Sequence, residues 1–289
     1  MNNVRKEVPC YFCGVMSSEK VIYFDGILRI VKCRTCGLMY QNPGPSESTL
    51  HRCSYSEDYF TNYMRVFEKQ RKYFFERYKL LFRAHRDAKV LDIGCGTGSF
   101  LSVARECGMD AYGVEVSQWA AQIARQKVGG AVITGTLADA MFGDGMFDII
   151  HMSHLLEHCE DPGKILLEAG RVLKRGGILL IEVPNERHFR TRLYIVNALR
   201  KIFLQINEPI RPYPEHLFLY TKKTLRRIIL QSGLEVVSIH VEGFSNPYRF
   251  WSNVVNYRPI LKILQVILMT RMDVFLGLGY YITVTAMKK

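Results

Sequence analysis

Two cysteine pairs stand near the start of the chain, Cys10-Tyr-Phe-Cys13-Gly14 and Cys33-Arg-Thr-Cys36-Gly37, with 19 residues between them. A C-x-x-C turn lets two thiolates reach one metal ion, and the glycine after it relieves crowding where backbone N–H groups face the sulfurs. Four sulfurs close a tetrahedral site and leave no position for a substrate. The chemistry expected of Cys10, Cys13, Cys33 and Cys36 is therefore structural Zn2+ binding. Lys20–Lys32, turning near Asp25-Gly26, reads as a β-hairpin, which makes residues 1–45 a zinc ribbon. An iron–sulfur site is the alternative for the same ligands. A redox pair would need one C-x-x-C at a strand-to-helix junction, and neither copy has that setting. Cys53, Cys95, Cys107 and Cys159 lack partner spacing, and most of them read as buried thiols.

A second chemistry is carried by Gly94-Cys-Gly96-Thr-Gly98, which follows the apolar strand Lys89-Val-Leu-Asp92-Ile and precedes the helical Ser99–Cys107. A glycine-dense turn between strand and helix lets the backbone approach a ligand and points N–H groups at it. A dinucleotide fingerprint reads G-x-G-x-x-G. Here the pattern is G-x-G-x-G, a tighter turn that suits a ligand without a pyrophosphate. The next strand, Ala111–Glu115, ends in an acid 17 residues beyond Gly98, placed to accept both hydroxyls of a ribose.

Further on, His151-Met-Ser-His154-Leu-Leu-Glu157-His158 puts three histidines and a glutamate within eight residues. As a bare pattern, His154-x-x-Glu157-His158 matches a zinc-protease motif, but the surrounding architecture of such a protease is missing. The bland reading is that Glu157 and His158 cap and stabilise a helix.

The elements that must position these residues can be read as well. Pro43, Gly44, Pro45 and Ser46–Thr49 mark a linker. From Asp58 to about Arg86 the spacing of Tyr59, Tyr63, Phe67, Phe74, Tyr78, Leu81 and Phe82 is helical, an aromatic stripe of the core-packing kind. Residues 46–87 are thus a linker and N-terminal helix, and strands alternate with helices from 88 to 289. With 48% hydrophobic residues the chain of 289 can bury a large core, which excludes disorder. The net charge of +12 favours an anionic partner. Residues 186–262 hold 13 Lys and Arg against 5 Asp and Glu, interleaved with large apolar residues. Helical insertions are expected at about 186–214 and 245–278, with helices near 193–206 and 254–270. Their basic amphipathic character fits a lid over an amphiphilic substrate, a surface lying in a membrane interface, or a packed lid with a solvated basic face. No secretory h-region precedes Cys10, and Ile260–Tyr281 is interrupted by Lys262, Gln265, Arg271 and Asp273. The expected location is cytoplasmic, and the membrane-interface reading of the insertions would add peripheral contact at the inner face of an anionic membrane.

Val90-Leu-Asp-Ile-Gly-Cys-Gly-Thr-Gly98 resembles the first motif of class I S-adenosylmethionine-dependent methyltransferases, and Glu115 matches their ribose-binding acid. Phe147–Ile150 resembles their fourth strand, His154–His158 with Asp161-Pro162 the segment after it, and Val172–Asn185 the next helix, turn and strand. Glu215–Leu234 resembles the helix before strand six, Glu235–His240 that strand, and Tyr281–Ala286 the last, antiparallel one. The cysteine pairs resemble a zinc-binding segment that precedes this domain in some bacterial sugar methyltransferases. The resemblance implies an α/β fold, a Rossmann-like seven-stranded methyltransferase sheet with an N-terminal zinc ribbon and an inserted helical lid. It also implies a cofactor, S-adenosyl-L-methionine. Asp92 and the backbone of Gly94, Gly96 and Gly98 would hold its methionine portion, Glu115 its ribose, and Thr136 and Leu137 its adenine. Many relatives have an aspartate where this chain has Thr136.

For His154, Glu157 and His158 the resemblance implies two roles. Ubiquinone-pathway and small-RNA-terminal methyltransferases place E-x-x-E-H here to bind a divalent ion. This chain has His154 for the first Glu, and His216 would be a further ligand. In the similar sugar methyltransferases, a residue at the position of His158 acts as general base and one at Glu157 packs or orients it. Imidazole, with an ordinary pKa near ~6.5, suits that task.

The leading expectation is methyl transfer to a small-molecule acceptor, a sugar or lipid-linked glycan whose phosphate meets the basic lid. An RNA methyltransferase is the alternative, since a zinc ribbon and high charge also serve nucleic acids. Against base N-methylation, strand four ends in His151-Met-Ser-His154 in place of Asn/Asp-Pro-Pro-aromatic. A third reading is a non-enzymatic zinc-ribbon interaction module.

Overall fold

The computed structural model describes residues 9–16, 19–24, 28–42, 57–129, 131–187, 201, 215–242 and 279–289. Its larger sheet has seven strands. They are β4 (Lys89–Ile93), β5 (Asp110–Glu115), β6 (Val132–Thr134), β7 (Phe147–Ser153), β8 (Leu173–Pro184), β10 (Leu234–Glu242) and β11 (Tyr281–Lys288). Across the sheet they run β10-β11-β8-β7-β4-β5-β6. Strands β4 through β8 pair in parallel, and β11 is antiparallel to both β8 and β10. This is the expected seven-stranded Rossmann-like methyltransferase sheet, in the order 3-2-1-4-5-7-6 when its strands are counted along the chain.

The parallel strands carry apolar runs because both faces are covered. Val90, Leu91, Ile149, Ile150, Leu179 and Val183 are fully buried. Helices α2 (Ser99–Glu106), α3 (Gln118–Val128), α4 (Pro162–Val172) and α5 (Lys222–Gln231) cover the sheet. Side chains set where three of them begin: Ser117 and Asp161 cap α3 and α4, Pro162 opens α4, and Thr221 with Thr224 forms a capping box on α5. The long helix α1 (Glu57–Ala84) lays Phe74, Tyr78 and Phe82 against Phe100 of α2, as the aromatic stripe anticipated.

Four short strands build a second, antiparallel sheet in the order β1-β2-β3-β9. Three come from the N-terminal segment: β1 (Glu19–Phe24), β2 (Arg29–Cys33) and β3 (Met39–Gln41). The fourth, β9 (Phe218–Leu219), comes from far along the chain and corrects one expectation. The helix expected from Glu215 onward starts only at Lys222, because Phe218 and Leu219 pair with the free edge of β3 and Thr221 caps the helix after them. The expected lid helices at 193–206 and 254–270 lie outside the described residues except for Lys201. Among the described residues, no helix is long and apolar enough to cross a membrane.

Candidate active site

In open α/β sheets ligands settle outside the carboxyl ends of the strands, where the strand order reverses. Here that point lies between β4 and β7. The turn leaving β4 holds Gly94, Gly96 and Gly98 at φ of 74°, 52° and 83°, a left-handed conformation that side chains resist. A Cβ on Gly94 would come 3.0 Å from Leu155, and one on Gly98 would come 3.2 Å from Ala124. From the end of β5, Glu115 reaches into this turn: its Oε2 accepts from the Gly96 N–H and its Oε1 from the Ser117 N–H, both at 2.9 Å. Burial raises the Glu115 pKa, while those N–H donors pull it down. Each oxygen keeps a second lone pair for a hydroxyl. The Thr97 hydroxyl, buried in the same turn, has no partner among the described residues. A turn that a Cβ would crowd, an orphaned hydroxyl and a buried carboxylate together fit a nucleoside-type ligand.

Asp92 sits inside the sheet. Its Oδ1 lies 2.7 Å from Nδ1 of His151, which lies flat on Phe100 with ring centroids 3.9 Å apart. Burial raises the Asp92 pKa against the pull of His151. On the other flank, Leu137 is buried and Thr136 exposed, with the Thr136 N–H and hydroxyl both on Asp139 Oδ2, at 2.8 and 2.7 Å.

Beyond β7 the chain turns at His154, whose φ of 53° is uncommon for a residue with a side chain. Its Nδ1 lies 3.1 Å from Glu157 Oε1 and its Nε2 3.5 Å from Glu182 Oε1. Burial opposes charge on this ring, but the two carboxylates outweigh it and raise its pKa well above the ordinary value. Glu182 also receives the Tyr73 hydroxyl at 2.6 Å and lies 3.7 Å from Arg77 Nε. Burial pushes its pKa up, yet His154, Arg77 and Tyr73 bring it down to about 2. Arg77 in turn forks onto Glu242. Helix α1 is thereby bonded into the site through Tyr73 and Arg77.

His158 faces the other way. Its Nδ1 meets the Glu215 carbonyl at 3.1 Å. A carbonyl can only accept, so Nδ1 carries a proton, and Nε2 lies 4.0 Å from Glu157 Oε1. Glu157 Oε2 is buried without a partner among the described residues. Glu157, His158 and His216 each offer a ligand atom, all within 4.8 Å of one another. Burial holds the His216 pKa down to about 4 in spite of Glu157, so this ring is neutral and able to ligate. This donor set fits a divalent cation, and the carbonyl behind His158 is the support that ligating histidines commonly use.

The four cysteines also meet. Cys10 and Cys36 sulfurs are 3.5 Å apart and Cys13 and Cys33 sulfurs 3.6 Å, close to the ~3.8 Å edge of a tetrahedron with ~2.3 Å Zn–S bonds. Gly14 and Gly37 adopt φ of 67° and 81°, closing the two knuckles.

A family model described as a methyltransferase domain matches residues 66–239. The chain belongs to the S-adenosylmethionine-dependent methyltransferases. This methyltransferase is 27% identical over 216 residues to an uncharacterized protein of Methanocaldococcus jannaschii, covering 70% of this chain and 76% of that one. It is 26% identical over 183 residues to the ubiquinone biosynthesis O-methyltransferase of Vibrio cholerae, covering 58% and 71%. A crystal structure of an S-adenosylmethionine-dependent methyltransferase from Thermotoga maritima superposes with a TM-score of 0.53 at 21% identity, covering 81% and 98%.

Within the methyltransferase, the fold brings Asp92, the three glycines and Glu115 to the ends of β4 and β5, and His154, Glu157 and His158 to the neighbouring end of β7. His216 joins this second group. Tyr73, Arg77 and Glu182 were not singled out from sequence, and His151, part of the histidine cluster there, turns instead to Asp92. Glu182 had a signal, as a lone acid in the apolar run Ile178–Val183. Tyr73 had none, since it stands one position off the aromatic stripe.

Proposed function

We propose that this methyltransferase moves the methyl group of S-adenosyl-L-methionine to a hydroxyl of a small-molecule acceptor, a sugar or lipid-linked glycan. Asp92 and the turn at Gly94, Gly96 and Gly98 hold the methionine end, Glu115 the ribose, and Thr136 with Leu137 the adenine. When bound, the sulfonium supplies an electrophilic methyl, and displacement is in line, so the protein must mainly align the acceptor and remove a proton. His158 performs the second task. The observation that carries this reading is the Glu215 carbonyl on Nδ1, which leaves the Nε2 lone pair to take a hydroxyl proton. Glu157 packs beside that edge of the ring, where its carboxylate stabilises the imidazolium formed when Nε2 takes the proton, and His154 neutralises Glu157 from behind.

A second reading is supported by Glu157 Oε2, buried and unpartnered among the described residues, beside His158 and His216. Glu157, His158 and His216 would hold a divalent ion that acidifies the acceptor hydroxyl. The likeness to a ubiquinone-pathway O-methyltransferase favours an oxygen acceptor under either reading. Cys10, Cys13, Cys33 and Cys36 hold structural Zn2+, which staples the N-terminal segment. The basic stretch 186–262 favours an acceptor that carries phosphate, and peripheral contact with anionic membrane follows if that acceptor is lipid-linked.

The test is transfer of labelled methyl from S-adenosylmethionine into lysate separated into nucleotide-sugar, lipid and RNA fractions, with and without a chelator. Label in the sugar or lipid fraction supports the proposal, and label confined to RNA overturns it. Chelator sensitivity that is restored by Mg2+ or Mn2+, but not by Zn2+, selects the second reading.

A further inference from the structure

We propose that Gln41 is a positioning residue for the cluster Glu157, His158 and His216, and that the cysteine-bearing sheet braces this cluster through it. The inference rests on the reading of that cluster as the acceptor end of the site. It begins with how the segment 216–218 is held. On one side the Gln41 side chain donates Nε2–H to the His216 carbonyl at 2.9 Å, and the Gln41 backbone N–H donates to the Leu217 carbonyl at 2.9 Å. On the opposite side the N–H groups of Leu217 and Phe218 both donate to the Glu157 carbonyl, at 2.7 and 3.2 Å. The strap that carries His216 is therefore clamped between the small sheet and the backbone of Glu157.

Strand pairing alone offers little here, because β9 has two residues and β3 three. Gln41 is 3% exposed, so its side-chain amide makes this bond shielded from water. The clamp is continuous with the cysteine cluster on two routes. Cys36 lies three residues before β3, and the Cys33 N–H donates to the Leu38 carbonyl at 2.9 Å, fixing the start of that strand. Tyr11, inside the first knuckle, packs edge-on against Tyr40 and Phe218 at 5.6 and 5.0 Å. A displacement of the knuckles would reach His216 through β3 and through the Tyr11 ring.

The full chain with Gln41→Met, which keeps the size and the sheet backbone bonds, tests the brace by amide hydrogen exchange and by Mn2+ binding followed by electron paramagnetic resonance. Mn2+ suits a carboxylate–imidazole set and is poorly held by four thiolates. Exchange at Leu217 and Phe218 should rise about tenfold or more, and Mn2+ affinity should fall about tenfold, with zinc content, S-adenosylmethionine affinity and exchange in β4 and β5 unchanged. Exchange at 217 and 218 equal to wild type overturns the brace. If the wild type binds no Mn2+, the divalent-ion reading falls and the exchange result alone decides the brace. Gln41→Asn, too short to reach His216, should reproduce the exchange change. Loss of folding in both variants also overturns the proposal, since Gln41 would then be a core residue.

Discussion

His151 donates from Nδ1 to Oδ1 of Asp92 across 2.7 Å, and so joins β7 to β4 at the point where the sheet reverses its order. Both side chains are buried, and Phe100, Phe74 and Tyr78 surround the imidazole. Replacing His151 by Leu leaves the carboxyl of Asp92 without its donor in an apolar setting. Such a group costs about 3 kcal/mol. Urea unfolding should show His151→Leu less stable by about that amount, and the double variant His151→Leu/Asp92→Asn recovering part of it. Equal stability of His151→Leu and wild type would mean that the pair contributes nothing.

His158→Ala should leave S-adenosylmethionine affinity near wild type and lower turnover by about 10²-fold or more, the range expected for a lost general base. Initial rates with the acceptor identified by fractionation measure this. Persistent turnover would place the base elsewhere.

Metal analysis of the purified protein should find one zinc per chain, lost in a Cys10→Ser/Cys33→Ser variant. Two ions per chain, one of them surviving the double substitution, would add the Glu157, His158 and His216 site to the account.

The Glu182 cluster should mark the acid limb of stability. Its carboxyl is held at about 2 in the folded chain by His154, Arg77 and Tyr73, against burial, and returns to about 4.3 on unfolding. The stabilisation is complete above the unfolded value and is lost as pH falls from about 4.5 toward 2. Thermal melts across that interval should show a shallower slope for Glu182→Gln than for wild type. Parallel curves would contradict the assignment.

What could be read from sequence and what could not divides along chain separation. Asp92, the glycine turn and Glu115 fall within 24 residues, and their chemistry follows from one strand-turn-helix-strand unit. The seven-stranded sheet was implied by several motifs standing in sequence, whereas its strand order came from the structure. Tyr73 and Glu182 meet across 109 residues and Gln41 and His216 across 175, contacts that no local pattern encodes. Phe218 and Leu219 carried a helix-like context and became a strand only because β3 offers an unpaired edge.

The central claim is that the bend after β4, closed by Glu115, holds S-adenosylmethionine. Titration calorimetry of the wild type, Glu115→Ala and Gly96→Arg with this ligand tests it most directly. The account predicts saturable one-site binding by the wild type and none measurable in either variant, with circular dichroism of the variants unchanged. Wild-type affinity retained in both would contradict it.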